Sequence, residues 1–310
     1  MNRFLVSALS LVLMLSASIA NSQVVSAPYS NVKLDSAKLL NDLAYISSPT
    51  LEGRLVGTEG NRKAREYIAR RFEQLKLDSF GSGRFQSFPA RNGATGVNVI
   101  GMIKGKLYPD QYYVITAHYD HLGKKGDKIY TGADDNASGT AALLAIAERF
   151  KKTTPSHSII FVACDAEEGG LMGSRYFVEH PPVDISTIKF NLNMDMLSRS
   201  DKNEIYACGI YHYPFLSKYI KHVQEYVTGI HVIAGHDDPS KGASDDWTTQ
   251  SDHYPFHQKK IPFLYFGVED HPDYHQPTDS FEKVNKSFYY QVCNMIASLM
   301  MSIDAHAKID

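Results

Sequence analysis

The sequence predicts an α/β fold: a three-layer α/β/α sandwich around a mixed, mostly parallel central sheet. Three observations support this prediction. Short apolar runs alternate with amphipathic helical stretches along the chain. The runs are continuously apolar, which is typical of strands buried on both faces. The length of 310 residues and the apolar fraction of 43% are sufficient for one large domain with a sizeable core.

Helices and strands can be placed in order along the chain. Helical spacing predicts helices at residues 36–46, 61–77, 139–151, 170–180 and 281–305. Apolar runs predict strands at residues 97–103, 112–117, 157–163, 188–194, 204–210, 232–234 and 261–267. We expect Ser138 to cap the third helix and Pro109-Asp110 to form a turn. Residues 51–60 are predicted to form a Gly-rich loop, and residues 236–251 a flexible loop over a site.

The first 20 residues have the pattern of a cleavable signal peptide. Arg3 precedes an apolar run at residues 4–15, and Ser18 and Ala20 supply the small residues of a cleavage site. The run is short for a membrane span, so we favour a signal peptide over an N-terminal membrane anchor. We therefore expect a flexible leader at residues 21–33 and a single catalytic domain at residues 34–310. The mature protein is expected to be secreted or periplasmic, without stable membrane insertion.

Composition excludes some classes of partner. The chain has 32 basic and 34 acidic side chains and no basic stripe, so a nucleic-acid partner is not expected. Three cysteines allow at most one disulfide, which argues against a disulfide framework. Cys164 lies in an apolar run that is typical of a buried strand.

Histidine and carboxylate residues follow several of the predicted strands. In an open α/β sheet, ligands bind where the carboxyl ends of parallel strands meet. A lone Asp or His after a strand is most often a turn residue. Here, however, five chain segments deliver such residues to one edge of the sheet. They are His118 and Asp120; Asp134 and Asp135; Asp165, Glu167 and Glu168; Asp195; and Asp270, His271, Asp273 and His275.

This set of side chains indicates a two-metal hydrolase. Buried carboxylates in such numbers would repel one another unless a cation neutralised them. Mixed imidazole and carboxylate ligands suit zinc, and their number favours two ions bridged by a shared carboxylate. Asp120 can accept a hydrogen bond from the far nitrogen of His118. On an extended strand end, Glu167 and Glu168 point to opposite sides, so one can bind metal while the other acts as general base.

The motifs at these positions resemble those of the M28 family of zinc aminopeptidases. Between about residues 51 and 279 they occur in the family's order: AHYDHLG at 117–123, GADDNASG at 132–139, EEG at 167–169, NMDM at 193–196, SDH at 251–253 and YHQPTD at 274–279. The resemblance implies a di-zinc exopeptidase that removes residues from the free N-terminus of peptides. A zinc-bound water and a glutamate general base would carry out the hydrolysis.

The resemblance also implies a metal ligand at each of five matched positions, two for each zinc ion and one shared by both. These are His118 and Asp195 for one ion, Glu168 and His275 for the other, and Asp135 as the bridge. Asp134 and His271 are the rival candidates, and the motif alignment favours Asp135 and His275 over them.

Three further roles are implied by the same motifs. Glu167 would be the general base, Asp120 would orient His118, and Tyr274 would stabilise the oxyanion of the tetrahedral intermediate. His121 is interpreted as a pocket wall or a loop contact, and His253 as a local structural residue. Aromatic residues that could line a substrate pocket, but that are more often core, are Tyr211, Tyr213, Phe215, Trp247 and Phe256.

Other functions remain as alternatives. The sequence contains neither a Gly-x-Ser-x-Gly elbow nor a His-Glu-x-x-His motif, which argues against a serine hydrolase and a zincin. A single-zinc glutaminyl cyclase or a metal-free binding protein on the same scaffold would be expected to lack part of the ligand set. A carboxypeptidase or deacylase usually has a second dimerisation domain. The chain also leaves little room for the protease-associated domain that many secreted relatives carry.

Overall fold

Eight strands form the central sheet of the protein. The computed structural model describes residues 32–81 and 83–309; the predicted signal peptide and most of the predicted leader lie outside these residues. The strands are β1 Phe85–Pro89, β2 Thr95–Ile103, β3 Tyr108–His118, β4 Lys124–Lys125, β5 Lys128–Ile129, β6 His157–Cys164, β7 Ile188–Met194, β8 Glu204–Cys208, β9 His231–Ala234 and β10 Phe263–Gly267. Strands β4 and β5 form a separate two-stranded hairpin.

The order of the central sheet is β1-β2-β6-β3-β7-β10-β8-β9. The four middle strands, β6, β3, β7 and β10, are parallel to one another. Antiparallel pairs join β1 to β2, β2 to β6 and β10 to β8, while β9 runs parallel to β8. The sheet is therefore mixed with a parallel centre, as predicted, and the carboxyl ends of four adjacent strands lie at one edge.

Helices cover both faces of this sheet. They are α1 Ser36–Ile46, α2 Glu59–Gln74, α3 Gly139–Thr153, α4 Met172–Glu179, α5 Ser217–Tyr226, α6 Tyr254–Gln258 and α7 Lys286–Asp304. Alternate residues of β6 divide between the two layers: Phe161 packs into the larger cluster with α1, α3 and α7, whereas Ile160 and Val162 pack with Phe177 of α4 and Phe256 of α6. Burial of each such side chain contributes about 1.5–3 kcal/mol, which fixes the three-layer arrangement.

The first described residues already pack against the body of the protein. Val32 is buried, and its backbone N–H donates to Oγ of Ser298 in α7. The cysteines at 164, 208 and 293 are buried free thiols, and Cys164 ends β6 as expected. No helix within residues 32–81 and 83–309 is long and apolar enough to cross a membrane.

Two local predictions near the ends of elements were wrong in whole or in part. Pro109 and Asp110 lie within β3, where the register with β6 shifts between Tyr108 and Tyr112. A bulge tolerates a proline, which has no N–H, because the pairing between the strands is interrupted there and requires no hydrogen bond from this residue. Ser138 stands at the N-cap position of α3 as predicted, but its side chain makes no capping hydrogen bond, because its hydroxyl donates to the backbone carbonyl of Asp134.

Other elements were misassigned or missed. The segment predicted as a Gly-rich loop holds a 3-10 helix at Pro49–Arg54 and the start of α2 at Glu59. Thr58 begins α2 by accepting the N–H of Asn61, a cap that the sequence analysis overlooked. Strand β1 and helix α5 were not predicted. Strand β1 lies at the sheet edge and is half exposed, so its residues lack the apolar run on which the prediction relied.

Candidate metal centre

His118 and Asp195 meet at the carboxyl edge of the sheet. His118 is the last residue of β3, and Asp195 directly follows β7. Nε2 of His118 lies 3.1 Å from Oδ1 of Asp195. The other carboxylate oxygen accepts a hydrogen bond of 2.7 Å from the Ser251 hydroxyl. Burial lowers the pKa of His118, but the charges of Asp195 and Glu167 outweigh burial and raise it well above its ordinary value.

Asp135 lies between this pair and a second group of donors. Its Oδ1 is 3.4 Å from Nε2 of His118, and its Oδ2 is 3.0 Å from Nε2 of His275 and 3.7 Å from Nδ1 of His121. Burial would raise the pKa of Asp135, but the three surrounding imidazoles lower it well below its ordinary value. The two oxygens of one carboxylate thus face two different sets of side chains.

Glu168 completes the second group. Its Oε2 lies 3.3 Å from Nε2 of His275, and its Oε1 lies 2.8 Å from Nδ1 of His121. Burial lowers the pKa of His275, but hydrogen bonds with Asp135 and Glu168 outweigh burial and raise it to about 10. This half of the centre is built from loops, whereas His118 and Asp195 stand at strand ends.

Glu167 faces the first group rather than the second. Its Oε2 is 4.0 Å from Nε2 of His118, and burial raises the pKa of its carboxyl well above the ordinary value. The two glutamates diverge as expected, but not on an extended strand end. They follow β6 in a turn that begins with Ala166 at a φ of 56°.

Asp120 holds that turn in place. Its Oδ1 accepts the backbone N–H of Glu167 at 3.0 Å, and its Oδ2 accepts that of Glu168 at 3.4 Å. Its backbone carbonyl lies 3.3 Å from Nδ1 of His118, whereas the nearest carboxylate oxygen is 3.6 Å away. Nδ1 of His118 therefore faces both the carbonyl and the carboxylate of Asp120, and the carboxylate also positions the two glutamates.

Tyr274 lies beside the second group. Its ring stacks on the imidazole of His275 with centroids 3.9 Å apart. Burial, followed by the nearby charges of Asp135 and Asp195, raises the pKa of the phenol. The hydroxyl therefore keeps its proton at neutral pH and remains able to donate a hydrogen bond.

The rival residues Asp134 and His271 pair with each other away from this centre. Oδ2 of Asp134 lies 3.1 Å from Nε2 of His271, and Oδ1 accepts the N–H and the hydroxyl of Ser198 at 2.6 Å and 2.8 Å. The remaining strand-end acids are also elsewhere. Asp165 accepts from Asn61 and Val97, Asp273 binds Arg199, and Asp270 is exposed.

Two buried residues that sequence reasoning did not single out hold the segment that carries Asp135. Arg54 is fully buried and donates to the backbone carbonyls of Ile46, Tyr119, Thr131 and Gly132 over 2.6–3.0 Å. The carboxylate of Asp279 accepts the backbone N–H groups of residues 134 and 135 at 3.0–3.1 Å. Asp279 ends the quoted YHQPTD motif and Arg54 lies outside the quoted motifs, and the pattern of the sequence reveals the contacts of neither.

The donor set suits zinc. Within the described part of the chain, two groups have ligand atoms that all lie within 4.8 Å of one another: His118 with Asp135 and Asp195, and His121 with Asp135 and Glu168. Imidazole nitrogen combined with carboxylate oxygen is a zinc ligand set, whereas magnesium and calcium prefer oxygen alone. Asp135 is common to both groups, which is the property expected of a bridging ligand.

The suggested substrate aromatics divide between core and surface. Trp247 is buried against Cys208, Phe263 and Tyr265, and Phe256 is buried in the cluster of Ile160, Val162 and Phe177. Tyr211 is exposed. His253 is buried and its Nε2 contacts the carbonyl of Trp247, so it has the local structural role that was expected.

Comparison with known proteins identifies the family. The model of peptidase family M28 matches residues 98–300, more than half of the chain. Aminopeptidase YwaD of Bacillus subtilis is 33% identical over 217 residues, which cover 66% of this chain and 44% of the Bacillus protein. The chain therefore spans less than half the length of that relative. The fold is an α/β sandwich, and the match shows that the chain belongs to peptidase family M28.

Two solved structures share the fold. BSAP, a zinc aminopeptidase from Bacillus subtilis, superposes with a TM-score of 0.69 at 19% identity and covers 87% of this chain and 95% of its own. A glutaminyl cyclase from Bacteroides thetaiotaomicron, bound to N-acetylhistamine, has a TM-score of 0.70 at 19% identity, with coverage of 87% and 98%. At these identities the likeness concerns the fold alone. The predicted resemblance and fold class are thereby confirmed.

Proposed function

We propose that this protein is an aminopeptidase that uses two zinc ions. The observation that carries the proposal is the position of Asp135, whose two oxygens lie 3.4 Å from His118 and 3.0 Å from His275. One carboxylate that faces two sets of donors is the arrangement a two-metal hydrolase requires. Membership of a peptidase family supports peptide hydrolysis. The names of YwaD and BSAP, both aminopeptidases, support removal of N-terminal residues.

The proposed ligands form two groups that share one residue. His118, Asp195 and Asp135 would hold one zinc; Glu168, His275 and Asp135 would hold the other. When bound, the two ions would supply the Lewis acidity that activates the attacking water and polarises the scissile carbonyl.

Glu167 would act as general base. Its carboxylate, 4.0 Å from Nε2 of His118, would accept a proton from the attacking water and return it to the leaving amine. Asp120 supports this role because it fixes the backbone N–H of Glu167. Tyr274, whose hydroxyl keeps its proton, would donate to the oxyanion that forms at the carbonyl.

The charge of the centre does not by itself select substrates with a free N-terminus. The carboxylates of Glu167, Glu168, Asp135 and Asp195 are all at least partly buried around one site. Two zinc ions would neutralise these carboxylates, so the preference for a free N-terminus rests on the names of YwaD and BSAP, which are aminopeptidases. We therefore propose exopeptidase rather than endopeptidase activity.

A single assay with purified protein tests this proposal. Aminoacyl chromogenic amides with free and with N-acetylated termini would be offered before and after chelation, and zinc per chain would be counted. We expect chelator-sensitive cleavage of the free substrates alone and two zinc ions per chain. Cleavage of acetylated substrates contradicts the exopeptidase claim, and activity that ignores the chelator contradicts the metal claim. One zinc per chain with cyclisation of N-terminal glutamine indicates a glutaminyl cyclase instead.

The role of Glu167 has its own test. Glu167→Gln removes the proton acceptor while preserving volume, so kcat is expected to fall by about 10²–10⁴-fold. Zinc content should stay at the wild-type value because Glu167 is not a proposed ligand. Steady-state kinetics and metal analysis of the same preparation check both expectations. Retention of most of the wild-type kcat contradicts the assignment.

We also propose that residues 1–20 direct export and are removed. The charged start, the apolar run at residues 4–15 and the small residues before Asn21 support this proposal. Mass spectrometry of protein recovered from the periplasm or medium of an expressing cell should find Asn21 at the N-terminus. Recovery of the intact chain from the cytoplasmic membrane would favour an anchor.

A further inference from the structure

We propose that His121 is a ligand of the second metal, alongside Asp135, Glu168 and His275. This inference rests on the proposed two-zinc function and adds a donor that the family resemblance does not assign. It replaces the interpretation of His121 as a pocket wall or a loop contact.

His121 is buried in a way that calls for a partner. The residue is fully buried, and neither of its ring nitrogens has a hydrogen-bond partner among residues 32–81 and 83–309. A buried polar group left unsatisfied costs about 1–3 kcal/mol, so native proteins rarely keep one without a purpose. A metal ion bound to Nδ1 would satisfy this nitrogen.

The direction of the ring supports the same conclusion. Nδ1 of His121 lies 2.8 Å from Oε1 of Glu168 and 3.7 Å from Oδ2 of Asp135, the oxygen that also faces His275. The contact with Glu168 is an ion pair, and neither Nδ1 nor Oε1 makes a hydrogen bond with any other group within the described chain. His121, Asp135 and Glu168 have ligand atoms that all lie within 4.8 Å of one another, as expected of ligands around a common point.

The backbone around His121 is built to keep the ring there. Gly132 has a φ of 53°, and a Cβ at this position would lie 2.6 Å from Cγ and Cδ2 of the imidazole. A side chain at this position would collide with the backbone carbonyl of Asp135 and with the ring, so the glycine leaves room for the imidazole. The backbone N–H of His121 donates to the carbonyl of Arg54 at 3.4 Å, which ties the loop to the buried arginine.

An extra histidine makes the two metal positions unequal. The second would have four protein donors, from His121, Asp135, Glu168 and His275, whereas the first has three, from His118, Asp135 and Asp195. Because each additional ligand raises affinity, the second position should hold zinc more tightly. The metal held by His118 and Asp195 should therefore leave first when a chelator is added.

Metal titration of two variants tests the inference. His121→Phe keeps a flat ring against Gly132 but removes the donor, while His121→Asn keeps a weaker donor near Nδ1. His271→Asn is the matched control, because it removes a nearby imidazole that pairs with Asp134 outside the centre. Each metal-free protein would be titrated with zinc against a competing chelator, and circular dichroism would check that each variant folds.

In His121→Phe we expect the dissociation constant of the more tightly bound zinc to rise. Loss of a residue that only hydrogen-bonds to a metal ligand costs about 10–100-fold in affinity, and the rise should exceed that. His121→Asn should lie between His121→Phe and wild type, and the control should match wild type. Proton NMR of the cobalt-substituted protein gives a second readout. Each imidazole ligand shifts its own ring protons, so one such set should disappear in His121→Phe and none in the control.

The possible failures are distinguishable. Unchanged zinc affinities and an unchanged set of shifted ring protons in both His121 variants overturn the inference, even if the wild-type protein binds two zinc ions and cleaves free N-termini. If His121→Phe does not fold, the His121→Asn titration decides by the same criteria. If His121→Phe binds the tighter zinc more weakly but the wild-type protein cleaves no aminoacyl amide, His121 is a ligand and the proposed activity is wrong.

Discussion

Two Asp–His pairs from the same two chain segments have opposite surroundings. Asp135 contacts His275 at 3.0 Å within a group of converging donors. Asp134, its neighbour in the chain, contacts His271 at 3.1 Å and is fully hydrogen-bonded by Ser198. Asp135 and His275 converge with the other candidate metal ligands, whereas the carboxylate of Asp134 is bonded to protein groups.

The difference shows what separates a metal ligand from a structural residue of the same type. Distance between Asp and His does not distinguish the pairs, since both are near 3 Å. The number of other acids and imidazoles around each carboxylate does distinguish the two pairs. Three imidazoles surround Asp135, whereas the carboxylate of Asp134 is occupied by a backbone N–H, a hydroxyl and one imidazole.

Asp135→Asn should abolish most activity. It replaces the proposed bridge by a neutral amide of the same size, so several kcal/mol of transition-state stabilisation should be lost, which is about 10³-fold in kcat/KM. Aminoacyl amide hydrolysis measures the loss. A variant that retains more than a tenth of the wild-type kcat/KM would contradict a bridging role.

Zinc should stabilise the wild-type protein but not Asp135→Asn. A ligand that binds only the folded state at 100 times its dissociation constant adds about 2.7 kcal/mol to the free energy of unfolding. Urea unfolding with and without zinc measures this gain. Asp134→Asn should retain it, and an equal gain in Asp135→Asn would show that the metal does not depend on that carboxylate.

Asp134→Asn should lower the stability of the fold rather than the activity. Loss of the charge leaves the buried partners of Asp134 less well satisfied, so the free energy of unfolding should fall by about 1–3 kcal/mol. Denaturant melts of the metal-free protein measure the change. Zinc per folded chain should stay at the wild-type value, and its loss would place Asp134 in the metal centre.

The Asp134–His271 pair should give the smallest effect, a dependence of stability on pH. Burial lowers the pKa of His271, but Asp134 outweighs burial and raises it above 6.5. A raised histidine pKa contributes stability that is fully present below the unfolded value and is lost as pH rises through the folded value. Arg199 and Asp279 also act on this imidazole.

The difference in unfolding free energy between the wild type and His271→Gln should therefore shrink as pH rises from neutral to alkaline in the metal-free proteins. Denaturant melts at several pH values measure this difference. A difference that grows with pH would have the wrong sign for this pair.

Much of the centre could be predicted because the ends of the strands can be located in the sequence. The apolar runs that end at His118 and Asp195 locate the carboxyl edge, and parallel neighbours bring these residues together without any knowledge of loop structure. The choice of Asp135 over Asp134 required the family motif. The two residues share a type, and the backbone of the turn between Gly132 and Gly139 determines which carboxylate enters the centre.

Contacts made by loops were the least predictable part. His121 was interpreted as a wall because it follows His118 by three residues in a loop, where spacing says nothing about direction. The sequence predicts a contact of His118 with the carboxylate of Asp120, but it does not reveal that the carbonyl of Asp120 lies closer, at 3.3 Å against 3.6 Å. Arg54 and Asp279 hold the Asp135 segment through backbone groups, which no side-chain pattern can reveal.

The central claim, that Asp135 bridges two metal ions, is tested most directly by anomalous diffraction at the zinc edge from crystals of the zinc-loaded protein. Two peaks about 3.5–4 Å apart are predicted, one on each side of the Asp135 carboxylate. A single peak, or a pair of peaks that share Asp134 instead, would contradict it.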